Sequence, residues 1–176
     1  MEIRKASVQD LGQIMQVYDK ARKFMRENGN AEQWGEDYPS TELIEHDIDK
    51  MYLCMSEGRI ACVFYYAAEE DEDYKEINGK WLNEEPYGVV HRVASTGIVR
   101  GAASFCLDWA YAQTLNLRMD TYSDNIPMQK LLEKCGFQYE GTLRRIYKIY
   151  DGTIKPVRCY TMLREEYDGL RHAGVL

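Results

Sequence analysis

The chain has 176 residues, a length that suits one domain with a sizeable core, because such a chain buries roughly 70% of its unfolded surface. Hydrophobic residues make up 45% and charged residues 29%, which excludes a disordered or membrane-embedded composition. The formal net charge of -7 argues against nucleic-acid binding, which relies on Lys and Arg, and favours a cationic partner. We therefore predict a single domain over residues 1 to 176 with one active site.

The five cysteines are scattered and form no paired motif of the kind that binds zinc or carries out redox chemistry. They are Cys54, Cys62, Cys106, Cys135 and Cys159. We interpret them as reduced packing residues and expect no metal. The chain starts without an apolar signal-peptide core, and no apolar run approaches the ~18 residues of a membrane span. The sequence therefore predicts a cytoplasmic protein with no membrane partner.

The first part of the chain predicts a strand and two helices. Ile3 to Ala6 is the strand, and Ser7 with Asp10 forms a capping box that opens a helix. Apolar residues then recur at helical spacing until Asn28-Gly29 ends the helix. A second helix is predicted from its cap at Ser40 to Met51.

The middle of the chain predicts three strands and a helix. Tyr52 to Met55 and Ile60 to Ala68 are strands joined by the turn Ser56-Glu57-Gly58. After an acidic, irregular stretch, Tyr87 to Ser95 is a strand and Gly101 to Thr114 a helix.

The last part of the chain predicts a strand, a helix and a closing antiparallel pair of strands. These elements are Leu115 to Thr121, Ile126 to Cys135, Phe137 to Tyr150 and Val157 to Arg164. Asp151-Gly152 is a favoured hairpin dipeptide, and Pro156 is expected to break the returning strand. The residues after Tyr167 carry no interpretable pattern.

The most informative segment runs from His91 to Ser104, where a strand passes through a loop of small residues into a helix. A helix N-terminus has unpaired N–H groups and partial positive charge, so an anion can bind there. Gly101, Ala102 and Ala103 lack the bulk that would hold a phosphate away from those donors. The residues alone leave two interpretations open: a cradle for phosphate or pyrophosphate, and a tight turn with close helix packing.

The order of elements and this loop resemble the GNAT superfamily over residues 2 to 164. The loop pattern of that family is Arg or Gln, two variable residues, Gly, one variable residue, then Gly or Ala. This chain matches it at Gly101 and Ala103 but has Ile98 at the leading position. A second, independent similarity is the strand Leu117 to Thr121 followed by Asn125 and the end of the last helix.

The resemblance implies an α/β fold with a mixed, mainly antiparallel central sheet flanked by helices, in the order β-α-α-β-β-β-α-β-α-β-β. It implies an N-acetyltransferase that moves acetyl from acetyl-coenzyme A (acetyl-CoA) directly to an amine. Since the family pattern is incomplete, a second hypothesis is an acyl-CoA binding or sensing module with little turnover. The acceptor would be a small molecule or a peptide, and a homodimer is possible.

By this resemblance, the residues that bind acetyl-CoA lie along the strand, the loop and the two following helices. They are Val93, Ser95, Val99, Arg100, Gly101, Ala102, Ala103, Ser104, Asn125 and Lys130. Asn125 would hydrogen-bond the pantetheine arm and could also be a helix N-cap. Arg100 and Lys130 would approach phosphates, or face solvent only.

Four side chains are predicted to serve the reaction: His91, Tyr122, Trp34 and Tyr38. His91 is the candidate base, because an imidazole titrates near neutral pH. Strand alternation places it on the face of Val93 and Ser95, opposite Arg92. Its alternative is a partly buried histidine bound to a backbone carbonyl.

The family often carries its general acid, a tyrosine, where this chain has Leu132. Tyr122 is the candidate substitute; it could also be an ordinary tyrosine, with solvent supplying the proton. Trp34 and Tyr38 are predicted to wall the amine site, or to pack only.

Overall fold

The structure is a computed structural model, which describes residues 1–71, 74, 81, 83, 85–148 and 154–173. The strands of these residues are β1 Glu2–Lys5, β2 Met51–Ser56, β3 Arg59–Ala67, β4 Gly88–Ser95, β5 Leu117–Tyr122, β6 Gln138–Lys148 and β7 Ile154–Met162. The α-helices are α1 Leu11–Glu27, α2 Thr41–His46, α3 Ala102–Thr114, α4 Ile126–Lys134 and α5 Arg164–His172. No described helix is both long and apolar enough to cross a bilayer.

The strands form one sheet in the order β1-β2-β3-β4-β5-β7-β6. Strands β4 and β5 pair in parallel, whereas β1 with β2, β2 with β3, β5 with β7 and β6 with β7 pair antiparallel. The predicted α/β fold with a mixed, mainly antiparallel sheet and flanking helices is confirmed. The predicted element order lacks the final helix α5.

The chain divides into two compact units, which are described separately. The first comprises Met1–Tyr66 and Val90–Trp109, and the second comprises Ala67–Val89 and Ala110–Leu176. The prediction of a single domain stays a prediction. In the first unit, apolar residues of α1 and α2 pack on β2, β3 and β4. This core consists of Ile14, Val17, Tyr18, Ile44, Met51, Leu53, Ile60, Val63 and Ala94.

Local signals explain where the early elements start. The Ser7 main-chain N–H and hydroxyl both donate to the Asp10 carboxylate, at 2.9 and 2.8 Å, and α1 follows. The Ser40 hydroxyl accepts from the N–H of Leu43 at 3.2 Å and caps α2. The second helix is shorter than predicted, because a 3-10 turn follows it and Met51 begins β2.

In the second unit, β7 lies between β5 and β6 and runs through Pro156. The prediction that Pro156 breaks this strand is therefore wrong. A proline has no N–H to donate, and it is tolerated where the hydrogen-bond ladder is irregular. The pairing of β7 with β5 begins only at Val157, and its register with β6 shifts between Leu143 and Tyr147. The predicted Asp151-Gly152 turn lies outside the described residues.

Helix α5, which was not predicted from the sequence, packs within the second unit through two residues. The Tyr167 ring stacks on that of Tyr111 with centroids 4.0 Å apart. Leu170 covers Gly136, which follows α4 and has a φ of 86°. An added Cβ at Gly136 would lie 2.1 Å from a Leu170 methyl carbon, so a glycine lets α5 approach closely.

We expect Gly136→Ala to lower the free energy of unfolding by about 3 kcal/mol, because left-handed strain and overpacking add. Urea denaturation measures this change. The control is Gly58→Ala, at a φ of 73° with no atom within 4 Å of the added Cβ, for which we expect about 1 kcal/mol. Equal losses in the two variants would contradict the close packing of α5 on Gly136.

Candidate active site

Strand β4 contains a main-chain irregularity next to the predicted base. Arg92 has a φ of 53°, and a left-handed residue inside a strand interrupts the alternation of side chains, as in a β-bulge. His91 and Arg92 both lie near the Tyr65 ring. The centroid of the His91 ring is 5.8 Å from the centroid of the Tyr65 ring, and the guanidinium carbon of Arg92 is 4.7 Å from the same centroid. The alternation that placed His91 and Arg92 on opposite faces is therefore wrong here.

Arg92 is held through both its side chain and its main chain. Its Nη2 donates to the Asp47 carboxylate at 2.6 Å, and the side chain is only 7% exposed. Its carbonyl oxygen accepts a hydrogen bond from the Tyr18 hydroxyl at 3.0 Å, and Tyr18 is fully buried. Neither partner was predicted from the sequence. The one signal in the sequence was the pair of polar residues, His91 and Arg92, between apolar residues of a strand.

The predicted wall residues lie between α1 and α2. The Trp34 ring centroid is 5.7 Å from that of Tyr18, edge-on, and 6.4 Å from that of Tyr38. Arg22 donates to the Tyr38 carbonyl at 3.2 Å and ties this segment to α1. Trp34 is half-buried against the core, whereas Tyr38 is 40% exposed. Three aromatic rings thus lead from the surface to the hydroxyl that binds Arg92.

The loop after β4 is fixed at its start by bonds to β3. The Thr96 N–H donates to the Ala61 carbonyl at 2.9 Å. The Thr96 hydroxyl bonds the Ile60 and Ala61 carbonyls at 3.0 and 3.1 Å. These bonds set where the chain leaves the sheet, so the loop starts from a defined position.

Two left-handed glycines shape the loop itself. Gly97 has a φ of 75° and Gly101 a φ of 84°, conformations that glycine adopts without strain. The Gly101 carbonyl accepts from the N–H of Phe105 at 2.9 Å, so Gly101 is the N-cap of α3. The other predicted cofactor-binding residues of this unit vary in exposure: Val93 and Ala102 are buried, Val99, Ala103 and Ser104 half-buried, and Ser95 and Arg100 exposed.

In the second unit, the remaining predicted residues lie at the end of β5 and on α4. Asn125 is the N-cap of α4, because its Oδ1 accepts from the N–H of Met128 at 3.2 Å. Tyr122 is 4% exposed and packs against Val157. Lys130 is exposed, so its ammonium group is accessible to an anion.

A buried amide that the sequence analysis missed holds the turn before α4. Gln129 is 4% exposed, and its Nε2 donates to the carbonyls of Tyr122 and Ser123 at 3.1 and 2.8 Å. Its Oε1 accepts from Arg158 at 2.8 Å. A buried polar group with such partners fixes the main chain near it, in this case between Tyr122 and Asn125.

No protein-family model matches the sequence, and no curated protein matches it significantly. Among solved structures, a GNAT-family acetyltransferase from Streptococcus agalactiae is similar to the chain with a TM-score of 0.78 and 28% sequence identity. The similarity covers 92% of this chain and 94% of that one. The chain therefore has the fold of the GNAT superfamily of acetyltransferases.

More distant acetyltransferase structures share the fold. The ribosomal-protein-alanine N-acetyltransferase of Brucella melitensis has a TM-score of 0.64 and 15% identity, covering 93% of this chain and 99% of that one. A GNAT acetyltransferase from Bacillus anthracis has a TM-score of 0.65 and 13% identity, covering 93% and 95%. The GNAT fold thus spans nearly the whole chain, and the family resemblance inferred from the sequence is confirmed.

The loop after β4 has open space beside its two left-handed glycines. A Cβ added at Gly97 or Gly101 would meet no atom within 4 Å, so the space beside both residues is open. The first-turn N–H groups of α3 have no partner within the helix, as at every helix start. Among the described residues, no cluster of three or more His, Cys, Asp or Glu side chains could hold a metal ion.

Two residues of this GNAT chain differ from the family pattern. Ile98, at the position of the leading Arg or Gln, is 42% exposed. Leu132, at the position of the usual tyrosine acid, is fully buried in the core and can carry no proton. The loop therefore lacks the Arg or Gln side chain of the family pattern, and α4 lacks its tyrosine.

The five cysteines of the chain are buried, as predicted. Burial, with the nearby Asp120 carboxylate, raises the pKa of Cys159 to about 12. Burial also raises the pKa of Cys54, whereas that of Cys106 is raised first by its hydrogen bond with Cys62 and then by burial. These thiols stay protonated at neutral pH, and a protonated thiol is a poor nucleophile.

Proposed function

We propose that the chain transfers an acetyl group from acetyl-CoA directly to an amine. The observation that carries this proposal is the glycine-flanked loop that leads β4 into α3, in a chain with the GNAT fold. Its open space and the donors of α3 suit the pyrophosphate of the cofactor. We further propose that the protein works in the cytoplasm, where buried thiols such as its five cysteines stay reduced.

The residues that would hold acetyl-CoA are those that the family resemblance implies. The main chain of Val93 and Ser95 would contact the acetyl and pantetheine portions, and Asn125 would bond the pantetheine arm. The pyrophosphate would lie on the loop and the first turn of α3: Val99, Arg100, Gly101, Ala102, Ala103 and Ser104. Lys130 would approach the 3'-phosphate, because its ammonium group is exposed.

Acetyl-CoA supplies the acetyl group as a thioester. An amine attacks only when neutral, so a ring nitrogen of His91 would take the proton that the amine loses. The Tyr122 hydroxyl would donate a proton to the departing sulfur, because the Leu132 side chain has no hydroxyl that could do so. The amide N–H groups near Val93 would stabilise negative charge on the acyl oxygen. No covalent enzyme intermediate is needed.

The acceptor would be a cationic small molecule or a peptide, bound near Trp34 and Tyr38. Their rings can attract an ammonium group, and the net charge of -7 favours cations. Acetyltransferase structures of similar fold are named for acceptors as different as ribosomal-protein alanine and agmatine. We therefore propose a class of acceptor, cationic small molecules or peptides, and no single compound. We propose neither nucleic acid nor membrane as a partner. A homodimer remains part of the proposal.

The test is release of free thiol from acetyl-CoA in the presence of polyamines, amino acids, small amines and peptides, with calorimetry of acetyl-CoA binding. Turnover with any of these amines supports the proposed acetyl transfer. Binding without turnover would favour an acyl-CoA binding or sensing module, which the buried Leu132 at the acid position already suggests. Absence of binding would contradict the proposed cofactor.

We expect Gly101→Asp to weaken acetyl-CoA binding at least about tenfold, measured as Kd by calorimetry. An aspartate tolerates a left-handed φ and is a good helix N-cap, so α3 should stay folded. Its carboxylate would accept hydrogen bonds from the first-turn N–H groups of α3, which are then not available to a phosphate. Gly29→Asp is the matched control, since Gly29 has a φ of 81° and equally open surroundings. An unchanged Kd in Gly101→Asp would contradict a phosphate site at this loop.

A further inference from the structure

The Tyr18 hydroxyl makes an unusual contact for a core residue of α1. Tyr18 is fully buried among apolar side chains, yet its hydroxyl donates to the carbonyl oxygen of Arg92 at 3.0 Å. Burial raises the pKa of this phenol well above its ordinary value. The hydroxyl therefore keeps its proton at every pH at which the protein is assayed, and it acts as a permanent donor.

The Arg92 carbonyl belongs to the same peptide group as the N–H of Val93. A trans peptide is planar and points its N–H opposite to its C=O. The bond from Tyr18 therefore also sets the direction of the Val93 N–H. Accepting a hydrogen bond at the carbonyl polarises the peptide group, which makes its N–H a stronger donor.

The same peptide group is the least regular point of β4. Arg92 has its left-handed φ of 53°, which costs free energy for a residue with a side chain and has to be held by its surroundings. Asp47 holds the guanidinium at 2.6 Å, and the Tyr65 ring lies 4.7 Å from the guanidinium carbon. The side chain is fixed by these two residues, and the carbonyl by Tyr18.

We infer that Tyr18 is a positioning residue for acetyl transfer: it fixes and polarises the peptide group whose Val93 N–H stabilises the acyl oxygen. This inference rests on the proposed function, in which amides near Val93 contact the acyl group. Tyr18 touches neither substrate nor cofactor in this role, and acts through the main chain of β4.

The chain contains a close internal match for this contact. Tyr111 is also buried, and its hydroxyl donates to the carbonyl of Leu115 at 3.1 Å; Leu115 has a left-handed φ of 58°. Both tyrosines therefore bond the carbonyl of a left-handed residue, but the Leu115 peptide lies between α3 and β5, away from β4 in sequence. Removing either hydroxyl should cost similar stability.

The experiment compares Tyr18→Phe with Tyr111→Phe. In Tyr18→Phe we expect kcat to fall on the order of tenfold with an unchanged KM for acetyl-CoA, because the lost effect concerns the transition state. The amide resonance of Val93 in a ¹H–¹⁵N spectrum should shift. In Tyr111→Phe we expect neither change, while thermal unfolding shows similar losses in both variants.

Retention of kcat and of the Val93 resonance in Tyr18→Phe would overturn the inference, and so would an equal loss of kcat in Tyr111→Phe. If Tyr18→Phe does not fold, Asp47→Asn is used instead, because it weakens the bond that holds the Arg92 side chain. This variant should shift the amide resonance of Val93. An unchanged Val93 resonance would overturn the inference. Absence of turnover by the unaltered protein contradicts the proposed function, and the resonance then still decides whether Tyr18 sets this peptide group.

Discussion

Replacing His91 by alanine is expected to lower kcat about a hundredfold while acetyl-CoA binding stays intact, because a general base contributes at least that factor. His91 is half-buried on β4, directly before the left-handed Arg92 and with its ring near Tyr65. It therefore lies next to the amide that we assign to the acyl oxygen. The measurement is steady-state thiol release, with calorimetry of the cofactor in parallel.

Added imidazole should restore part of the activity of His91→Ala, since a small base can replace the missing ring. The matched control is His172→Ala: the ring of His172 bonds only locally to the Asp168 carbonyl at 2.6 Å, on α5, and we expect full activity. If His91→Ala turns over acceptor at the normal rate, His91 is a structural histidine and the amine loses its proton to solvent.

Asp47→Ala is expected to lower the free energy of unfolding by about 3 kcal/mol. The substitution leaves the Arg92 guanidinium, whose side chain is 7% exposed, buried with no carboxylate opposite it. A buried charge that loses its partner keeps the cost of leaving water and gains nothing in return. Urea denaturation followed by circular dichroism measures the loss.

The control for this ion pair is an exposed one. Arg164 and Asp168 lie 3.9 Å apart on α5, with side chains 71% and 54% exposed, so Asp168→Ala should cost less than about 1 kcal/mol. Similar small losses in both variants would mean that water reaches Arg92 freely. Arg92 would then not be fixed in the way the Tyr18 inference requires.

Most strands and helices follow from local signals in the sequence, but α5 does not. Its residues are mostly charged, and only Tyr167 and Leu170 face apolar partners. Those partners, Tyr111 and Gly136, are distant in the chain, so no local periodicity reveals the helix. Pro156 was misjudged for the same reason, because its tolerance depends on the register of neighbouring strands.

The loop of the candidate site was predictable because glycines and small residues mark it directly. The irregularity at Arg92 was not predictable, since strand alternation assumes a regular pleat and Arg92 departs from it. Tyr18 occupies a core position of α1, where an apolar pattern accounts for it fully. Its contact with β4 spans 74 positions, a distance at which a sequence pattern carries no information.

The position of β7 between β5 and β6 has a consequence for synthesis on the ribosome. Strand β6 lies at the edge of the sheet and pairs only with β7 among the described strands. Strand β6 nevertheless leaves the ribosomal exit tunnel before β7 does. Until Met162 has emerged, β6 exposes two unpaired edges, and such edges promote association between chains. The nascent chain therefore completes this part of the sheet only after β7 has emerged, and a product that stalls before β7 would be the form most prone to aggregate.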